Sequence, residues 1–158
     1  MLNEKPEFLL AVDAGVKTGL ALFDSSGKLH WHRSHNMGSV PALRKAAFHL
    51  VNAIPDLKYI VVEGGGQIAG IWKKMAERYG IKFIMTDALH WRRDLLYSRE
   101  QRSGETAKQI AVEMAIRFLK ENGTPPAQTP LHDSAEAILT GVWYCHQLGW
   151  LKQKPNLH

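Results

Sequence analysis

The pattern of apolar and polar positions predicts three strands in the first part of the chain. Residues 8–12 form an apolar run that ends at Asp13, which is typical of a buried strand. Residues 18–23 form a second such run, and residues 28–35 alternate with a period of two, which is typical of a strand with one solvated face. Because only short turns separate these segments, we expect an antiparallel meander.

From residue 40 onward the pattern alternates between helix and strand. Residues 40–54 and 68–79 have helical spacing, with Pro41 acceptable in a first turn. Residues 59–62 and 81–85 have the composition of buried strands. Strands that alternate with helices favour parallel pairing.

Two long helices are predicted in the last third of the chain. In residues 103–122 the apolar side chains fall on one stripe, and after a loop at 124–128 a helix is expected to run to about residue 147, with Thr129 as its cap and Pro130 at its first position. The order of elements predicts a ribonuclease-H-like α/β fold. Its five-stranded mixed sheet, three strands antiparallel and then two parallel, is flanked by helices in a single domain over residues 1–158.

The net charge indicates an anionic partner. The chain has 20 Lys and Arg against 15 Asp and Glu, which gives a net charge of +5. A basic domain attracts polyanions, and nucleic acid is the commonest of these, although many basic proteins bind none.

Other sequence features exclude several classes of protein. Cys145, the single cysteine, can form no internal disulfide and no cysteine-rich zinc site. We find no signal peptide and no run near the roughly 20 apolar residues that span a bilayer. We therefore expect a cytoplasmic protein without membrane contact. Residues 64–66 lack the lysine and spacing of a phosphate-binding loop. We also expect no small-molecule organic cofactor.

Two of the predicted strands end in a carboxylate. Asp13 follows the first apolar run, where a turn-forming aspartate is an ordinary structural explanation. Glu63 follows the fourth strand, and glutamate is a poor strand former. If the first and fourth strands pair in parallel, the two side chains emerge side by side at one edge of the sheet.

Asp133 and Glu136 form a second acidic pair. Their spacing of three on a helix puts both on one face, so both can reach one site. Acidic residues near the start of a helix also complement its dipole, and for this pair alone the structural explanation is slightly favoured.

Together the four acids predict a metal-dependent nuclease. Four carboxylates that meet repel one another unless a cation compensates them, and Mg²⁺ and Mn²⁺ favour such oxygen ligands. Two such ions about 4 Å apart can activate a water and stabilise the leaving oxygen in phosphodiester cleavage. We therefore expect two ions of Mg²⁺ or Mn²⁺ per site, held by the carboxylate cluster, defined as Asp13, Glu63, Asp133 and Glu136.

Basic residues supply candidate phosphate contacts. Lys108 lies at the edge of the apolar stripe, where a lysine usually snorkels but beside a metal site would assist catalysis at the scissile phosphate. Residues 91–102 hold four arginines and two aromatic residues, which indicates either a segment that binds phosphates and stacks on bases or a solvated basic loop. The expected nucleic-acid contacts are Lys17, Arg92, Arg93, Arg99, Arg102 and Lys108.

These residues resemble the RuvC-type Holliday junction resolvases of the ribonuclease-H-like superfamily. Residues 10–15 (LAVDAG) with Thr18-Gly19 are similar to the family's opening strand, and residues 59–63 (YIVVE) to its strand that ends in the second acid. Residues 133–137 (DSAEA) are similar to the helical motif with the last two acids, and Lys108 to a lysine of the preceding helix. Glu136 replaces the more usual Asp, and the regions of Trp72 and Trp91 are closer to divergent phage, viral or organellar members.

The resemblance implies an endonuclease that cuts branched DNA, such as a four-way junction, as a homodimer with two sites related by a two-fold axis. It also implies that Asp13 bridges the ions. Two alternatives stay open: a nuclease of the same fold that processes ribosomal RNA precursors, and a nucleic-acid-binding module without catalysis. The final acidic pair and the 103–122 helix favour the resolvase over the RNA enzyme, and the presence of all four acids disfavours an inactive module.

Overall fold

The computed structural model describes residues 5–95, 104–122, 130 and 132–152, and these contain five strands and five helices. The strands are β1 (Phe8–Asp13), β2 (Lys17–Asp24), β3 (Leu29–Asn36), β4 (Leu57–Glu63) and β5 (Lys82–Thr86). The helices are α1 (Val40–Ala53), α2 (Gly66–Arg78), α3 (Ala88–Leu95), α4 (Gly104–Glu121) and α5 (His132–Gln147).

The strands form one sheet in the order β3-β2-β1-β4-β5. Strand β2 runs antiparallel to β1 and to β3, whereas β4 runs parallel to β1 and to β5. This order and these directions are those of the ribonuclease-H-like fold, so the predicted fold class is confirmed.

Helices cover both faces of this sheet. Leu10, Val12 and Ile60 belong to the core beneath α1 and α2, whereas Leu9 and Ala11 belong to the core shared with α4 and α5. Side chains alternate along a strand, so each residue points to the same side of the sheet as the residue two positions before it. Asp13 and Glu63, two positions beyond Ala11 and Val61, therefore face α5.

The described bounds of α1, α2 and α4 lie within two residues of the predicted ones. The prediction for Pro130 is wrong, because this residue is not helical and α5 runs from His132. Ser39 caps α1, its hydroxyl oxygen accepting a hydrogen bond from the backbone N–H of Ala42, and Pro41 stands in the first turn as expected. The loop predicted at 124–128 and the cap at Thr129 lie outside the described residues. None of the described helices combines the length and apolarity that crossing a bilayer requires.

Helix α3 was not predicted. The sequence indicated either a segment that binds phosphates and bases or a solvated basic loop at residues 91–102, and the described part of that segment is helical as far as Leu95. Trp91 and Leu95, four residues apart, are 0% and 5% exposed and pack into the core beside α5. The interpretation of Trp91 as a base-stacking residue is therefore wrong. Tyr97, Arg99 and Arg102 lie outside the described residues.

Two glycines allow α5 to approach the sheet closely. A Cβ atom at Gly19 of β2 would overlap the backbone carbonyl of Asp133, and one at Gly141 of α5 would overlap the ring of Phe23. Gly19 is also the register partner of Asp13 on β2. Its missing side chain lets the first turn of α5 lie directly beside Asp13.

We expect Gly141→Ala to lower the free energy of unfolding by about 1–3 kcal/mol, because the added methyl group must displace the buried Phe23 ring. Gly70→Ala in α2 is the matched control, since no atom lies within 4 Å of its added Cβ. It should raise the free energy of unfolding by roughly 0.5–1 kcal/mol through helix propensity. Urea unfolding of both variants checks this, and equal shifts of the same sign would contradict the close packing of α5.

Candidate active site

Asp13 and Glu63 lie directly opposite each other at the ends of two parallel strands. Backbone hydrogen bonds continue past both residues, from Ala14 N to Glu63 O at 2.9 Å and from Gly64 N to Thr86 O at 3.1 Å. Gly64 has a positive φ of 125°, a conformation that glycine adopts without the strain a side chain would bring. The parallel pairing puts the two residues side by side, as the sequence predicted, and the structure adds that they lie on the face covered by α5.

One oxygen of Glu63 accepts two hydrogen bonds. Trp91 Nε1 and Thr140 Oγ1 each donate to Glu63 Oε2, and both distances are 3.1 Å. Glu63 is 9% exposed, and both donors are completely buried. This carboxylate is held by one residue from α3 and one from α5.

Glu136 is held by a positive charge. The Nη2 of Arg92 donates to Glu136 Oε1 at 3.0 Å, and the Glu136 side chain is only 5% exposed. His132 Nε2 lies 3.2 Å from the same oxygen but is not aligned to donate a hydrogen bond to it. Of these two contacts, the one with Arg92 therefore orients the carboxylate.

Asp133 lies at the border of the site. Its Oδ2 is 3.5 Å from Lys17 Nζ and 3.4 Å from Ser34 Oγ, which donates to it. The Asp133 side chain is 15% exposed, and that of Lys17 is 62% exposed. Of the two helical acids, Glu136 is buried among the strand carboxylates and Asp133 faces the rim of the sheet.

Burial and mutual repulsion raise the pKa of both strand carboxylates. The pKa of Asp13 rises from 3.8 to about 7, because burial and then the charges of Glu136 and Asp133 oppose its ionisation, while Arg92 lowers it. The pKa of Glu63 rises from 4.5 to about 8 through burial and the charges of Glu136 and Asp13. Asp13 therefore lies within electrostatic reach of the other three acids, and Glu63 lies within reach of Glu136 and Asp13.

The carboxylates suit a hard divalent cation in chemistry but are not arranged as a complete cage. Among the described residues, no three His, Cys, Asp or Glu side chains are positioned to hold a metal ion together. Mg²⁺, however, commonly binds through one or two carboxylates and keeps several waters. Asp13 and Glu63 fit such an ion, since their carboxylates lie on register partners at the ends of two adjacent parallel strands.

The predicted basic residues take different positions. Lys17 and Arg92 lie beside the carboxylate cluster, as the ion pairs with Asp133 and Glu136 show. Arg93 is 70% exposed, 3.9 Å from Asp94 Oδ1. Lys108 is exposed on α4 and forms no ion pair with the carboxylate cluster in the described part of the chain.

Sequence reasoning missed Trp91, Thr140 and His132 as neighbours of the carboxylates. Thr140 follows Glu136 by four residues, so it lies one helical turn further on the same face of α5, and this spacing was a usable signal. Trp91 gave no such signal, because its contact with Glu63 joins residues 28 positions apart.

The raised pKa values predict that the protein without metal is less stable at higher pH. Above about pH 4 the unfolded chain ionises Asp13 and Glu63, whereas the folded chain keeps their protons until pH 7 to 8. The free energy of unfolding should therefore fall as the pH rises through this window, with no change from these groups at lower pH. Denaturant titrations at several pH values from 4 to 8 measure this change in the free energy of unfolding.

The free energy of unfolding of Asp13→Asn should fall less steeply over the same pH window, because this substitution removes one of the two titrating groups. Asp56→Asn is the control, since Asp56 is exposed and lies before β4, at the opposite end of the sheet. Identical pH profiles for wild type and Asp13→Asn would contradict the electrostatic description of the site.

Comparison with known proteins gives distant structural similarity only. No protein-family model matches the chain, and no curated protein matches it. Similar solved structures include the catalytic core domain of BIV integrase, with a TM-score of 0.36 and 8% identity over 84% of this chain and 79% of that one.

Two further structures are similar to the same degree. The intasome of simian T-cell lymphotropic virus in complex with PP2A regulatory subunit B56 gamma has a TM-score of 0.34 and 9% identity over 84% of this chain and 46% of that one. The HTLV-2 integrase catalytic core domain in complex with magnesium, in dimeric form, has a TM-score of 0.33 and 13% identity over 84% and 80%. Similarity this low carries no conclusion about the activity of this chain.

Proposed function

We propose that this chain is a metal-dependent endonuclease that cleaves phosphodiester bonds in branched DNA, such as a four-way junction. The observation that carries the proposal is the register pair of half-buried Asp13 and buried Glu63, with Glu136 close enough to oppose their ionisation. A fold has no need of such an arrangement for stability, since it opposes the charge of both residues. It is expected where a divalent cation is to be bound.

In this proposal Asp13 and Glu63 would hold the first Mg²⁺ or Mn²⁺, and Asp13 would also help to hold a second ion. A bound divalent ion would supply a Lewis acid for the attacking water and for the leaving oxygen. Glu136 and Asp133 would supply further ligands. For Glu136 this requires an exchange of partner, because its Oε1 is engaged by Arg92 Nη2 at 3.0 Å.

Arg92 would then be able to bind the substrate. A guanidinium released from Glu136 lies at the edge of the site, where it can contact a phosphate oxygen of the substrate. Lys17 and Arg93, both mostly exposed, extend a positive border for the nucleic-acid backbone. We also propose, from the sequence alone, that Lys108, Arg99 and Arg102 contact the nucleic acid. A homodimeric state and an intracellular location are proposed on the same grounds.

Incubation of the full chain with a labelled four-way junction and Mg²⁺ or Mn²⁺ tests the proposal. We expect metal-dependent cleavage that Asp13→Asn reduces by about 1,000-fold, the scale on which loss of a principal charge-stabilising group acts. Asp56→Asn makes the same chemical change at an exposed position outside the site and should cleave like wild type.

Matched substrates separate the alternatives. Cleavage of a structured RNA in preference to the junction would show that the substrate is RNA and not branched DNA, and the assignment of the active site would stand. Junction binding without cleavage in either metal would overturn the enzymatic proposal and indicate a binding module.

A further inference from the structure

The hydrogen bonds at Glu63 single out one of its two oxygens. Oε2 accepts from both Trp91 Nε1 and Thr140 Oγ1 at 3.1 Å. A carboxylate oxygen has about two acceptor positions, so these two donors occupy Oε2. Any cation that binds Glu63 in this geometry must therefore bind Oε1.

We propose that Trp91 and Thr140 are positioning residues that fix Glu63 as a metal ligand through a single oxygen. This inference rests on the proposed function and assigns a role to two residues outside the carboxylate cluster. Neither residue would touch the ion or the substrate. Both would act through Glu63.

The two donors hold Glu63 from different elements. Trp91 is on α3 and Thr140 is on α5, and both are 0% exposed in the core shared with these helices. Because an indole fully enclosed by core side chains cannot swing away, its N–H direction is set by packing. A ligand held from two sides keeps one rotamer, which is how surrounding hydrogen bonds preorganise metal sites.

The Thr140 contact is not the ordinary one for a threonine inside a helix. Such hydroxyls usually point to solvent or return a hydrogen bond to the carbonyl four residues earlier. Here the hydroxyl is buried and donates across to β4, 77 residues away in the sequence. The contact serves Glu63 rather than the helix that carries it.

The donors are also neutral, which distinguishes Glu63 from Glu136. Arg92 orients Glu136 and at the same time cancels its charge. Trp91 and Thr140 orient Glu63 without placing a positive charge beside it. Monodentate carboxylates of this kind suit the octahedral geometry that Mg²⁺ demands.

Binding of Mn²⁺ to the full chain, measured by calorimetry and by the electron paramagnetic resonance of free Mn²⁺, tests the inference without an activity assay. Thr140→Val keeps the side-chain volume and removes the donor, so we expect affinity to fall by about tenfold. Thr140→Ser keeps the hydroxyl and should bind nearly as wild type does. Trp91→Phe, which removes the other donor, should weaken binding in the same direction, and it replaces Thr140→Val if that variant does not fold.

The outcomes separate this inference from the proposed function. Wild-type affinity in Thr140→Val, with binding lost in Glu63→Gln, would overturn the positioning role alone. An equal loss in Thr140→Val and Thr140→Ser would also overturn it, because packing rather than the hydroxyl would then be responsible. A wild-type chain that binds no Mn²⁺ would overturn the proposed function and this inference together.

Discussion

The parallel pairing of β1 with β4 places two carboxylates next to each other and partly out of water, which disfavours the charged form of both. Asp13 and Glu63 are register partners on the face that α5 covers. Like charges at the spacing of paired strands, about 4.8 Å, repel by roughly 3 kcal/mol in partly buried surroundings, and loss of water adds to this cost. Neighbouring residues partly offset this cost. Trp91 and Thr140 donate hydrogen bonds to Glu63, and the charge of Arg92 lowers the pKa of Asp13.

Strand periodicity explains why this part of the site could be predicted. The apolar runs before Asp13 and Glu63 are long enough to define both strands and both ends, and the order of elements then determines which strands are neighbours. Once β1 and β4 are parallel neighbours, the two acids must meet. The face they share also follows from the alternation, because Ala11 and Val61 lie two residues earlier on the same side.

Helix α3 and its contacts could not be predicted in this way. Eight residues give only two turns, and of their described side chains only Trp91 and Leu95 are buried, while two arginines lie between them. So short a pattern does not distinguish a helix from a charged loop. The helical acids show a second limit. The sequence puts Asp133 and Glu136 on one face, but only the tertiary approach of α5 at Gly19 makes Glu136 buried and leaves Asp133 at the rim.

Charge balance indicates how the site accommodates ions. Arg92 pairs with Glu136 and Lys17 with Asp133, so two of the four acids have a cationic partner in the chain itself. The other two, Asp13 and Glu63, are the acids whose pKa rises to about 7 and about 8. In the proposed function, one divalent cation would supply the two positive charges that offset this pair when both are ionised. A second ion would bring an excess of positive charge unless Arg92 and Lys17 withdrew or an anionic phosphate arrived with it. Under the proposed function, assembly of a two-ion site would therefore depend on the substrate, since the substrate phosphate would both offset the second ion and give Arg92 and Lys17 a new partner.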